Sequence, residues 1–524
     1  MAAQREGPAG DRMRLAELIG ALSVAVDLGM SLPAEAGLRS CVLAVELGSA
    51  LGLDEAELTR TYYLALLRLV GCTSTAHDEV AVLGQQVGDL PGIRTVDTRP
   101  LPFLAAIART LAADQPPLAR AGRVASALGG MPRLANATAA HCEVAERLAA
   151  RLGLAEDLQE ALTQAFERWD GQGRPRGLKG EAIARSARLV SLASDVVAFH
   201  ALGGVEAAVA MARERAGRKH DPRAAERFCQ TAEQLVGSLE GGSAWERVLA
   251  AEPGWRPSLS DGEADRAIRA MADFADLKTP IFSGHSSGVA DLAVGAAERC
   301  RLSPSEVAAL RRAALLHDLG RSAVSAVIWE KAGLLSEGEW ERVRLHPYYT
   351  ERVLARSRAL ASVGTIAVLH HERLDGSGYH RGFPAQLQPP PARLLAAADV
   401  YHALREPRPH RPARSGDQAA EELKREARAG RLCPDAVAGV LAAAGHRVRP
   451  ARREWPGGLS DREVEVLRLL ARGLSNRQIA ERLVVSERTV HHHVEHVYDK
   501  IDVSTRAGAT LFAMQHDLLA PAEE

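Results

Sequence analysis

Four His-Asp dipeptides occur in this chain, at His77-Asp78, His220-Asp221, His317-Asp318 and His516-Asp517. Three read as surface polar pairs. His317-Asp318 differs because it ends an apolar helical segment (AALLHDLG) and has partners on neighbouring segments. His285 stands upstream, His346 lies in the next helical stretch, His370-His371 end another, and Asp399 sits within ARLLAAADVYHAL. Imidazoles with carboxylates and no thiolate suit Fe, Mn or Zn, and a bridging aspartate lets two such ions lie close together. A pair of that kind makes a shared water acidic enough to attack and clamps the attacking and leaving oxygens of a phosphodiester.

The elements that must position these residues are helices. Segments such as EAELTRTYYLALLRLV and PSEVAALRRAALLHDLG place apolar residues at helical spacing, and alternating strand patterns are scarce. An internal repeat organises them. FERWDGQGRPRGL, from Phe166, echoes HERLDGSGYHRGF, from His371, and HCEVAERLAAR, from His141, maps onto HPYYTERVLAR, from His346, both at an offset of 205 residues. The chain therefore holds two copies of one helical domain, the first with a longer insertion around residues 73–130.

The stretch from about Ala275 to Val448 resembles the HD-GYP family of metal-dependent cyclic di-GMP phosphodiesterases and sensors. The matching motifs are ADLKTPIFSGHS, LLHDLGR, HHERLDGSGY, AAADVYHAL and RPHR. Carried over position by position, the resemblance implies His285, His317, Asp318, His346, His370, His371 and Asp399 as ligands of two divalent metals. It puts Asp318 and Arg321 at the reaction centre, and directs Arg321, Arg408 and Arg411 at ligand phosphates. Departures accompany it. The usual lysine of HDxGK is Arg321, which can fork a phosphate but cannot give up a proton near neutrality. The GYP motif reads Gly378-Tyr379-His380, without the stiffening proline. His402 replaces an acid usual after the Asp ligand, and Ile281 stands where some members carry a third-metal carboxylate. Binding of metal and of a cyclic dinucleotide is expected; whether the site hydrolyses or only senses stays open.

The first copy lacks most of these groups. Arg68-Leu69 stand in register with His317-Asp318, Ala165-Phe166 with His370-His371, and Ala36 near the place of His285; only His141 and Asp195 persist. It reads as a degenerate copy for dimerisation, ligand sensing or packing.

Residues 459–519 show helix signals in quick succession: a capping box at Ser460 and Glu463, Gly473 after the first helix, then Ser475 and Ser486 as further caps. The segment resembles the LuxR-type helix-turn-helix, in which the later helix enters the major groove of DNA. By that resemblance Arg488 and Thr489 touch the backbone, and His491, His492 and Glu495 face base edges. Val490 and Val494 pack inward or meet a thymine methyl. Asn476, Arg477, Lys500 and Arg506 contact phosphates. His491-His492-His493 cannot converge on one ion, because consecutive helical residues point about 100° apart.

The whole-chain balance excludes a general polyanion binder: 65 Lys and Arg against 66 Asp and Glu confine nucleic-acid contact to a local patch. Six scattered cysteines without a CxxC pair argue against a zinc ribbon and fit a reducing cytoplasm. No uncharged run approaches the roughly 18 residues of a membrane span. The expected organisation is all-α: a short N-terminus (1–12), a degenerate HD-GYP-like domain (13–236), a linker (237–262), an HD-GYP domain (263–450), a linker (451–458) and a four-helix LuxR-type domain (459–524). The expected partners are double-stranded DNA, a cyclic dinucleotide and a second copy of the chain, with no membrane.

Overall fold

The computed structural model describes residues 13–516 and 518–519, apart from short stretches at 31, 34, 91, 97–99, 112–115, 255, 257, 301 and 449–454. Among the described residues every regular element is helical. The chain divides into two compact units, Met1–Arg447 and Val448–Glu524.

Serine caps start many of the helices. Ser260, Ser303, Ser336 and Ser415 each close a capping box with Glu263, Glu306, Glu339 and Gln418, satisfying backbone donors that a helix start leaves unpaired. In the second copy, helix Pro304–Leu316 delivers His317-Asp318 at its end, Arg358–Ala367 delivers His370-His371, and Pro390–Arg405 carries Asp399. The first copy repeats the plan with Glu55–Leu67 before Arg68, Glu156–Leu162 before Ala165-Phe166, and Arg185–Arg215 carrying Asp195. Even the helix starts agree. Ala36 and His285 each open a helix behind a left-handed residue, Glu35 at φ 63° and Gly284 at φ 79°.

The repeated glycine loops match in backbone terms. A side chain on Gly173 would meet Arg168 N at 2.3 Å, and one on Gly378 would meet Arg373 N at 2.4 Å. Both loops are pinned by a buried glutamate accepting from backbone N–H groups: Glu167 from Arg176, Gly177 and Leu178, and Glu372 from Arg381 and Phe383. The insertion builds its own small core from Leu83, Leu90, Ile93, Ile107 and Leu111.

The two copies lean on each other inside the first unit. Ser322 Oγ donates to Ala25 O at 3.0 Å, Gln86 Oε1 accepts from Ala326 N at 3.0 Å, and Arg356 pairs with Glu35 at 2.9 Å. The Gly-rich stretch 237–262 is not an open linker. Trp245 is buried against Gly20, and buried Glu252 holds Arg14 and the Tyr63 hydroxyl, because this stretch supplies apolar and acidic groups that the first copy's core needs. One described helix, Arg185–Arg215, is long and apolar enough to cross a membrane; it breaks at Gly203-Gly204 and carries ion-paired Asp195.

In the second unit, Ser460, Ser475 and Ser486 cap three helices as expected, and a fourth follows: Asp461–Ala471, Asn476–Leu483, Glu487–Lys500 and Arg506–Gln515. Val464, Leu467, Ile479, Val490, Val494 and Val497 close its core.

Candidate functional site

His317, His346 and His370 share one local device. Each stands at a helix terminus and bonds through Nδ1 to the carbonyl three residues back: Ala314 at 2.7 Å, Val343 at 2.6 Å and Ala367 at 2.7 Å. That bond fixes one proton on Nδ1 and aims Nε2 inward. His285 bonds instead through Nδ1 to Glu406 Oε2 at 3.0 Å.

The inward atoms meet at Asp318. Its Oδ2 lies 2.8 Å from His317 Nε2 and 3.3 Å from His285 Nε2, and His285 Nε2 reaches Asp399 Oδ1 at 3.2 Å. Its Oδ1 lies 3.3 Å from His346 Nε2 and 3.5 Å from His370 Nε2. His371 Nδ1 faces Asp399 Oδ2 at 3.6 Å. Three metal-capable groups result, one of His285, His317, Asp318 and Asp399, one of His346, His370 and His371, and one of His285, His402 and Glu406; Asp318 turns an oxygen to each of the first two. All seven residues expected from the sequence thus converge.

The donor chemistry fits divalent cations. His285 Nε2, His317 Nε2, both Asp318 oxygens and Asp399 Oδ1 are buried with no hydrogen-bond partner among the described residues. Buried polar atoms without partners are costly, and a shared cation relieves several at once. Burial and Arg321 oppose a proton on His285, but the carboxylates of Asp318, Asp399 and Glu406 outweigh them and raise it to about 10. Burial likewise opposes a proton on His317, and Asp318 and Asp399 raise it to about 9. Burial drops His370 to about 4, so it stays a neutral donor.

Around this centre, Arg321 sets its guanidinium against Asp318 and stacks on Phe282 at 4.4 Å and on Trp329 at 5.7 Å. Arg408 stacks on the same Phe282 at 5.0 Å and pairs with Glu406 at 2.8 Å. Tyr379 of the glycine loop lies against the His371 ring, centroids 4.6 Å apart. Arg411 is a correction. Its Nη1 and Nη2 donate to the carbonyls of Ala403, Leu404, Glu406 and Pro412, so it caps the end of the Asp399 helix instead of reaching for phosphate.

Glu406 was not foreseen. It accepts from His285 and contacts His402 Nδ1 at 3.1 Å, so the acid missing at position 402 returns one helical turn later. The signal was in the sequence: Glu406 follows Asp399 by seven residues, two turns along one helix face.

The first copy is organised around charge. His141 Nε2 donates to Arg68 O at 2.7 Å, and burial lowers its pKa to about 4. Asp195 binds Arg215 at 2.7 Å, Lys219 at 2.8 Å and His220 at 3.0 Å. His220-Asp221, expected on the surface, is buried: Asp221 caps helix Pro222–Glu240 and pairs with Arg188.

In the second unit, helix Glu487–Lys500 exposes Arg488, Thr489, His491, His492 and Glu495, with Glu495 3.4 Å from His491 and 3.6 Å from His492. Asn476 is half-buried, and exposed Arg477 pairs with Glu481. Val490 packs inward, one of its two expected roles, since the core takes every third or fourth residue of this helix. Two expected contacts are corrected. Lys500 Nζ is held by Glu463 Oε2 at 2.6 Å, and Arg506 donates to the carbonyls of Leu470 and Leu474, tying the last helix to the end of the first.

The HD domain family model matches residues 132–224 and 269–435, and the model of bacterial regulatory proteins of the luxR family matches 458–513. The chain is 31% identical over 412 residues to the 3′3′-cGAMP-specific phosphodiesterase 3 of Vibrio cholerae, spanning 77% of this chain and 89% of that protein. It is 35% identical over 228 residues to the cyclic di-GMP phosphodiesterase response regulator RpfG of Xanthomonas campestris, covering 41% of this chain and 58% of RpfG. The crystal structure of the V. cholerae cyclic GMP-AMP specific phosphodiesterase V-cGAP3 superposes with a TM-score of 0.58 at 26% identity, covering 83% of this chain and 99% of that one.

Proposed function

Because the chain belongs to the HD-GYP family of HD-domain proteins and carries a luxR-family domain, we propose that it is a DNA-binding regulator whose second copy holds two divalent metals and a cyclic dinucleotide. The observation that carries this reading is Asp318, one buried carboxylate with a histidine group on either oxygen. Bound there, a pair of divalent cations supplies Lewis acidity toward a water and a phosphodiester. The chain's own residues do the rest. His317, His346 and His370 present Nε2 in orientations that backbone carbonyls enforce. Arg321 and Arg408, both stacked on Phe282, offer fixed positive charge to phosphate oxygens. Arg488, Thr489, His491, His492 and Glu495 form the exposed face offered to duplex DNA, and in a homodimer two such faces read half-sites about one helical turn apart.

A second reading, hydrolysis with the DNA-binding domain localising the enzyme, is favoured by the full convergence of the seven ligands. One experiment separates them. Cleavage of 3′3′-cGAMP and cyclic di-GMP is measured with Mn or Fe beside a His317→Ala/Asp318→Ala control, and DNA affinity is measured with and without each nucleotide. Cleavage lost in the control supports the enzyme. Nucleotide-dependent DNA binding without cleavage supports the regulator. DNA affinity indifferent to metal and nucleotide overturns the coupling.

A further inference from the structure

We infer that the first copy is a second ligand site, for a phosphate-bearing nucleotide held by fixed cationic side chains in place of metal ions. A cavity of about 1160 Å³ opens in the first copy, ample against the roughly 300–1,000 Å³ of small-molecule sites. Its lining includes Arg68, Phe166, Asp195 and Lys219. Arg68, Phe166 and Asp195 stand where the second copy has His317, His371 and Asp399. The cavity therefore lies where the second copy gathers its cation ligands.

The charge there suits an anion. Arg215 and Lys219 bind the carboxylate of Asp195 and Arg68 lies within its electrostatic reach, three basic side chains to one acid. Half-buried Arg68 donates Nε to Ala165 O and stacks on Phe166 at 4.7 Å; its Nη1 and Nη2 have no acceptor among the described residues. A guanidinium fork at the base of a cavity is the geometry that binds phosphate in two-point fashion. Asp27, Asp89 and Glu339 also line the cavity, beside Arg342, but Asp27 accepts from Gly37 N, Asp89 from Ser325 Oγ and Glu339 from Lys331 Nζ. Leu32, Phe103 and Val324 add apolar wall suited to a base. Charged and apolar lining together favour a nucleotide over a bare inorganic ion.

The second copy forms part of the wall. Ala323, Val324, Ser325 and Ile328 line the cavity, and this run leaves directly from Arg321. An occupant touches the segment that holds the arginine resting on Asp318.

The test uses the full chain with the second site disabled, as the His317→Ala/Asp318→Ala variant and, independently, as EDTA-treated wild type. Each is titrated calorimetrically with 3′3′-cGAMP, cyclic di-GMP, their linear dinucleotides, GMP and inorganic phosphate. One nucleotide per chain is expected to bind, and Arg68→Gln is expected to weaken it at least tenfold, with Arg68→Lys between. Leu69→Trp, which fills the cavity without removing charge, is expected to abolish binding if Arg68→Gln fails to fold. The inference is overturned if no nucleotide binds once the second site is off, if phosphate binds as well as any nucleotide, or if the cavity variants bind like their parent. None of these outcomes depends on whether the second copy hydrolyses its ligand, so the two readings fail separately.

Discussion

The two copies answer the same electrostatic problem with opposite means. In the second, Asp318 and Asp399 gather the ring nitrogens of several histidines around buried carboxylate oxygens, a donor set suited to a cation. In the first, Asp195 is satisfied internally by Arg215, Lys219 and His220. A scaffold of helices that ends chemistry-bearing residues at one spot thus serves either purpose, and the side chains at a few helix termini decide which.

Four measurements can break or sharpen that contrast. Asp318→Ala carries the largest expected effect: loss of both metals by elemental analysis and a fall in any hydrolysis of about a thousandfold or more, since its carboxylate is shared. His346→Ala should leave one metal, and two metals retained after Asp318→Ala would refute the shared role. Asp195→Ala should destabilise the first copy by roughly 3–5 kcal/mol in denaturant melts, because it strands buried cations. Metal content should not change; if it does, the copies are not independent in their charge. A pH titration of stability comes next. His141 has its folded pKa lowered from 6.5 to about 4 by burial. Its contribution is full above pH 6.5, declines as the pH falls toward 4, and totals about 3 kcal/mol. His141→Gln should flatten that part of the profile. The smallest effect is expected from Glu406→Gln, which weakens the orientation of His285 and should lower metal affinity about 10–100-fold without unfolding.

Much of the second copy was legible because its candidate ligands are tied to helix ends, and helix ends leave marks in sequence: apolar runs stopping at His317 and at His370. The glycine loops were legible through their shared register. The substitute cations of the first copy were not, since Lys219 and His220 arrive from a turn whose path no periodicity reports. Arg408 and Arg411 look alike in sequence; only the fold of their turn sends one toward Phe282 and the other onto carbonyls. Trp245 and Glu252 were hidden by glycine-rich neighbours that suggest a tether. In the luxR-family domain, the caps were readable, whereas Lys500 and Arg506 could be assigned inward only once the third and last helices were seen to touch the first.

The carbonyl bonds to His317, His346 and His370 have one more consequence. Ring attitude is dictated by main chain, which mutation of neighbouring side chains barely disturbs, so the cage keeps its shape when vacated. An ion entering there would need little rearrangement of these three rings.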